Sequence, residues 1–226
     1  MALAIGVGPR HLARARQVHG CAAAAASTGA DDLPEADILY SDDPALAMAV
    51  QTADCLPILF GDSRTGAVAA AHAGWRGLAQ GAPVSAVRAL EEQFGSRPSD
   101  LVVAVGPSIG ACCYEVGDEV RHRFLEAGFS PDLLSRWFLD APRRSDENPP
   151  STTVPRPPRS GRWYLDLWQA SRQQIETAGV PPAQISVAEL CTASHPRLFS
   201  SYRRDGGGAG RLAGAIRCAP RRPLPA

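Results

Sequence analysis

Cys55 and His72 stand at matching ends of two apolar runs, 56–60 and 67–71, joined by the loop GDSRTG. A loop of that length and composition suits an antiparallel hairpin. With the loop centred, the two residues oppose one another where the strands end, their Cβ atoms about 5 Å apart. A thiol and an imidazole at that separation can share a metal ion or form a thiolate–imidazolium pair. Each alone reads as a structural residue, the cysteine as a packed, apolar-like thiol. Asp54 before the cysteine and Gly74-Trp75-Arg76-Gly77 after the histidine favour a functional pair. His19, within Gln17-Val18-His19-Gly20, is a third soft donor that nothing local brings to the hairpin. Two imidazoles and one thiolate leave one tetrahedral position open, the arrangement of a catalytic rather than a structural zinc.

Two other segments carry weaker signals. The stretch VGPSIGACCYEV (105–116) reads as a strand passing through Gly/Pro turns into a helix, where backbone N–H groups can meet an anion. Within it Cys112 and Cys113 read as packed thiols. In FSSYRRD (199–205), Arg203 and Arg204 can clamp a phosphate or carboxylate, or equally pair with neighbouring acids. His11, His122 and His195 have no supporting context and read as surface or structural residues.

The elements that must position these groups alternate between helix and strand patterns. Strands are expected at 36–40, 45–52, 56–60, 67–71, 101–105, 185–190 and 212–216, from short apolar runs bounded by turn residues. Helices are expected at 84–94, 115–127 and 164–177; in the first, Val84, Val87, Leu90 and Phe94 recur at helical spacing. The class is therefore α/β or α+β, with mixed sheets, hairpins and helical crossovers. No internal repeat is present, and residues 1–226 read as one domain. Residues 142–161 hold six prolines and almost no apolar side chains, which marks a mobile surface excursion without a catalytic role. The tail from Pro220 is expected to fray.

Composition narrows the functional classes. Twenty-three basic and 23 acidic residues give a formal net charge of zero, so no global field draws nucleic acid or an anionic membrane. Every basic residue is arginine, which removes a lysine Schiff base, a P-loop lysine and a lysine general base. The six cysteines form no CxxC, so neither a zinc ribbon nor a thioredoxin motif is present. With no signal-peptide pattern and no spanning apolar run, the expected setting is cytoplasmic and reducing, and the chain is expected to be a monomer.

Assembled in order, QVHG (17–20), ADILYSD (36–42), TADCLPILF (52–60), HAGWRG (72–77), GPSIGACCYEV (106–116), YLDLW (164–168) and FSSYRRD (199–205) resemble the multicopper polyphenol oxidase, or laccase-domain, family. Its members are also described as purine nucleoside phosphorylases, and a bacterial branch is linked to peptidoglycan-precursor editing. The resemblance implies a fold likened to cysteine-hydrolase toxins and a metal held by His19, Cys55 and His72. It also implies phosphorolysis of adenosine, inosine and methylthioadenosine, and deamination of adenosine. Members carry a TRxGG-like turn and an NLG-like strand before QVHG. Eighteen residues precede His19 here and hold neither motif, so an arginine and an asparagine expected at the substrate site are not supplied by this segment.

These considerations lead to a zinc-dependent phosphorylase in which Arg76 and Arg203 hold phosphate, Tyr202 contacts substrate, and His19, Cys55 and His72 form the catalytic metal site. Copper can enter the same donors. A copper polyphenol oxidase is the alternative enzyme class, but it needs several coppers and more histidines than the five present. A Cys/His hydrolase acting on peptidoglycan precursors is a further alternative.

Overall fold

The computed structural model describes residues 2–27, 33–149 and 160–218. Its strands are β1 (Leu12–Ala13), β2 (Ala23–Ala25), β3 (Ile38–Ser41), β4 (Ala47–Thr52), β5 (Leu56–Asp62), β6 (Val68–Ala73), β7 (Leu101–Val105), β8 (Glu115–Gly117), β9 (Phe138–Leu139), β10 (Arg162–Leu165), β11 (Ile185–Val187) and β12 (Leu212–Arg217). Its α-helices are α1 (Trp75–Ala79), α2 (Ala82–Phe94), α3 (Asp118–Glu126), α4 (Pro131–Trp137), α5 (Leu167–Thr177) and α6 (Tyr202–Asp205). The strands form a six-stranded sheet, β11-β7-β5-β6-β3-β2, and two three-stranded sheets, β1-β4-β12 and β8-β10-β9. The large sheet is mixed, with parallel pairs at both edges and antiparallel pairs between them. The architecture is thus mixed α/β, as the alternating patterns lead one to expect.

Strand β6 shows why the site forms where it does. Its sequence, VAAAHA, is buried throughout because the sheet is covered on both faces. Ala69, Ala71 and Ala73 join Leu78, Ala86, Val87 and Leu90 in the main core on the helical side. Val68 and Ala70 face the other way, into a smaller core with Met48 and Val50 of β4. His72 has the parity of Val68 and Ala70, so the alternation of β6 aims it at the β4 side. Cys55 has the parity of Leu59, which packs into that same smaller core.

The hairpin is real, but its register differs from the centred expectation. Leu56 pairs with Ala73 and Pro57 with His72, so Cys55 and His72 are diagonal rather than opposed. The cause is the turn. Asp62 Oδ1 accepts the N–H groups of Arg64 (2.7 Å) and Thr65 (3.0 Å), and Asp62 N–H donates to the Ala67 carbonyl at 2.8 Å. That keeps Gly61 and Asp62 in the strand and shortens the loop to Ser63–Gly66. The offset is two residues, an even number, so Cys55 and His72 still share a face.

Three other boundaries shift. Residues 115–117 form β8 and helix starts only at Asp118, because β8 pairs with β10. For the same reason 164–165 are strand, and α5 begins after Asp166, whose side chain caps it by accepting Gln169 N–H at 2.9 Å. The strand expected at 185–190 ends at Val187, and Glu189 has a left-handed φ of 51°. Of the proline-rich stretch, 150–159 lies outside the described residues, as does the tail from 219. The 142–149 flank is anchored: buried Asn148 donates to Glu189 O (2.7 Å) and accepts from Cys191 N–H (2.7 Å), and Arg143 pairs with Asp166 at 2.5 Å. No helix among the described residues is long and apolar enough to cross a membrane.

Candidate metal centre

His19, Cys55 and His72 converge, with one potential ligand atom from each lying within 4.8 Å of the others. The imidazole rings of His19 and His72 meet edge to face, centroids 4.8 Å apart. His19 arrives from the loop between β1 and β2, Cys55 from the β4–β5 connection, and His72 from β6. Gly74 makes the convergence possible, because a Cβ there would sit 2.8 Å from Cys55 Sγ and 3.6 Å from the His19 ring.

Asp37, just before β3, organises the cluster, and its role was not legible from sequence. Its Oδ1 accepts His19 N–H at 3.0 Å, and its Oδ2 accepts Val18 N–H at 3.2 Å and Gly20 N–H at 2.6 Å. These bonds hold His19 in a left-handed conformation, φ 62°, that a non-glycine residue seldom adopts. Asp37 Oδ1 also lies 2.7 Å from His72 Nδ1. Burial alone would raise its pKa, but the bonds from His72, Gly20 and Val18 hold it below the usual carboxylate range. An ionised carboxylate only accepts, so His72 Nδ1–H donates to it, and Nε2 is the ring nitrogen left to meet a ligand. Such carboxylate–histidine pairs orient metal-binding imidazoles.

Asp54 plays a parallel part for the thiol. It is buried with φ 88°, and its carboxylate accepts Thr192 Oγ1–H and Arg203 N–H, both at 2.6 Å. Two of the described non-glycine residues with positive φ therefore sit at this cluster, which is where backbone strain concentrates in functional sites. Burial, then Asp54 and Asp37, push the Cys55 thiol up to about 12. Burial and the neighbouring His72 lower the pKa of His19, which keeps it neutral and able to ligate.

The three residues line a cleft of about 650 Å³ together with Arg76, Tyr114, Tyr202 and Arg203. That volume falls in the range of small-molecule sites, about 300–1,000 Å³. Arg76 lies over the Trp75 ring at 4.4 Å, and Arg203 over Tyr114 at 5.0 Å while donating to Glu115 O at 2.8 Å. Tyr202 is exposed at the rim. The arginine pair divides: Arg204 turns away, bonds to Asp205 and braces the 192–199 loop through Thr192 O and Phe199 O. The anion loop expected at 105–116 does not form. Its N–H groups are spent internally, Ser108 on Leu190 O, Ile109 on Asp54 O and Gly110 on Cys191 Sγ, and it leads into β8 rather than a helix.

A family model described as multi-copper polyphenol oxidoreductase laccase matches residues 1–219. A purine nucleoside phosphorylase of Bacteroides thetaiotaomicron is 37% identical over 180 residues, covering 80% of this chain and 60% of that protein. A protein named adenosine deaminase RL5, from an unknown prokaryotic organism, is 33% identical over 220 residues, covering 93% and 76% of the two chains. The crystal structure of Bacillus licheniformis YfiH superposes with a TM-score of 0.81 at 30% identity, covering 96% of this chain and 78% of that one. The chain spans about three fifths of the length of several curated relatives that it matches.

Proposed function

The chain belongs to the multi-copper polyphenol oxidoreductase laccase family, and from that premise we propose a zinc-dependent purine nucleoside phosphorylase acting on adenosine, inosine and methylthioadenosine, with adenosine deamination as a side activity. The observation that carries this reading is the convergence of His19, Cys55 and His72 on one cleft with two ring-stacked arginines. The donor set suits zinc: two imidazoles, that of His19 kept neutral by burial and that of His72 oriented by Asp37, and a thiol that a cation would deprotonate. When bound, zinc supplies Lewis-acid polarisation at the cleft floor.

The chain's own residues do the rest. In phosphorolysis the ribosyl C1′–N9 bond breaks, C1′ bonds to a phosphate oxygen, and the purine departs with the electron pair and takes up a proton. Phosphate must be held as an anion next to C1′. Arg76 and Arg203 provide planar cationic forks, each fixed in orientation by the aromatic ring beneath it. Tyr202 at the rim offers a ring face for the purine. For deamination, water adds at the purine C6 and ammonia leaves, which the same cleft accommodates. Relatives named purine nucleoside phosphorylase and adenosine deaminase support both halves of the reading.

The two alternatives are less well supported. A cysteine hydrolase needs a thiolate near neutral pH, whereas Cys55 is held protonated up to about 12. A polyphenol oxidase needs several copper sites, yet among the described residues histidine donors converge at one cluster only. Elemental analysis of protein prepared without added metal tests the site. About one zinc per chain is expected, lost in Cys55→Ser and His72→Ala; metal content unchanged in both variants would sink the assignment.

A further inference from the structure

A second cluster stands apart from the cleft. Cys112 and Cys113, in the turn before β8, meet Cys191, which follows β11, and the three sulfurs lie within 4.8 Å of one another. All three are buried, with exposures of 3%, 0% and 0% respectively. From this geometry we infer that Cys112, Cys113 and Cys191 form a closed, structural site for a cuprous ion. The separations suit it: a trigonal ion with metal–sulfur bonds of about 2.3 Å places its ligands about 4.0 Å apart.

The coordination number selects the ion. Zinc in structural sites takes four ligands, and the described residues supply no fourth histidine, cysteine or carboxylate to this cluster. His195, the nearest histidine in sequence, spends Nδ1 on Cys191 O at 2.8 Å. Burial leaves no water-facing position for a fourth ligand. A soft monovalent ion content with three sulfurs is Cu(I).

The surroundings already stabilise negative sulfur. Gly110 N–H points at Cys191 Sγ from 3.3 Å, and Ser194 Oγ lies 3.6 Å from Cys112 Sγ and 3.5 Å from Cys113 Sγ. Arg204 braces the same loop through Thr192 O at 2.9 Å, which brings a guanidinium close to the cluster. A cuprous ion bound by the three sulfurs as thiolates displaces the thiol protons to solvent. Such an ion would clip the 110–113 turn to the 191–194 turn. Thr192, in the second turn, bonds to Asp54, so the clip stands behind Cys55 without taking part in the cleft.

The test uses the full chain carrying His19→Ala, Cys55→Ala and His72→Ala together, which removes the histidine-bearing cluster and leaves the trio intact. Cuprous ion is supplied as its acetonitrile complex under argon, excess is removed with a cuprous chelator, and copper is counted and examined by X-ray absorption. The expected result is one retained copper per chain with a shell of three sulfurs and no nitrogen. No retained copper, or a shell with nitrogen or fewer than three sulfurs, overturns the inference. Cys191→Ser in the otherwise unaltered protein is expected to lose the three-sulfur signal. Should that variant not fold, the triple variant still decides the question, and it does so whether or not the cleft binds zinc or cleaves nucleosides.

Discussion

A single carboxylate, Asp37, fixes two of the three residues of the candidate centre, one through its backbone and one through its ring. Asn in its place keeps the shape but turns N–H groups towards donors that now face a carboxylate oxygen. Asp37→Asn is therefore expected to weaken zinc binding by about 10–100-fold, measured by competition with a chromophoric chelator; an unchanged affinity would remove Asp37 from the account. The sign of its pH dependence follows from its lowered pKa. The stabilisation is complete above the ordinary carboxylate range and is lost as pH falls through the lowered value. Cys55 behaves in the opposite sense. In zinc-free protein its alkylation by iodoacetamide should stay slow at neutral pH and accelerate only as pH nears 12, and zinc-loaded protein should resist throughout. Rapid alkylation at neutral pH would instead favour the hydrolase reading. At this scale the sequence was legible where chemistry is local. Cys55 and His72 flank one hairpin and could be paired from spacing. His19 needed the resemblance, because it reaches the site from a loop whose conformation is imposed by Asp37. Asp37 itself, an acid before an apolar run, carries no local mark of its task.

Elements were legible where their partners are near in sequence. The β5–β6 hairpin was recognisable, and its register erred by an even step because the Asp62 side chain tightens the turn. Strands β8 and β10 were not, since each is short and finds the other across a long separation, so tertiary pairing overrides a helix-like pattern. The proline-rich stretch shows a similar gap between composition and contact. Its flank carries Asn148, whose side chain satisfies the buried Cys191 N–H and binds Glu189 O. Asn148→Ala leaves both groups unpaired and is expected to cost about 1–3 kcal/mol. Urea unfolding of the purified variant checks this, and an unchanged midpoint would mean that the flank is not a structural clamp.

For the whole molecule, the mixed α/β class followed from alternating patterns, while the layering did not. Helices cover one face of the large sheet and the β1-β4-β12 sheet covers the other, which is why β6 is nearly all alanine. The edge of that sandwich is where β4, β5 and β6 end together, and there the cleft opens between His72, Thr52 and Cys55. The proposed phosphorolysis requires that this cleft use phosphate to cleave nucleosides. Zinc-loaded protein is incubated with inosine, with and without inorganic phosphate, and hypoxanthine and the sugar product are quantified. Hypoxanthine released only with phosphate, in step with ribose 1-phosphate and abolished by chelation, is the predicted result; equal release without phosphate, yielding free ribose, would contradict it.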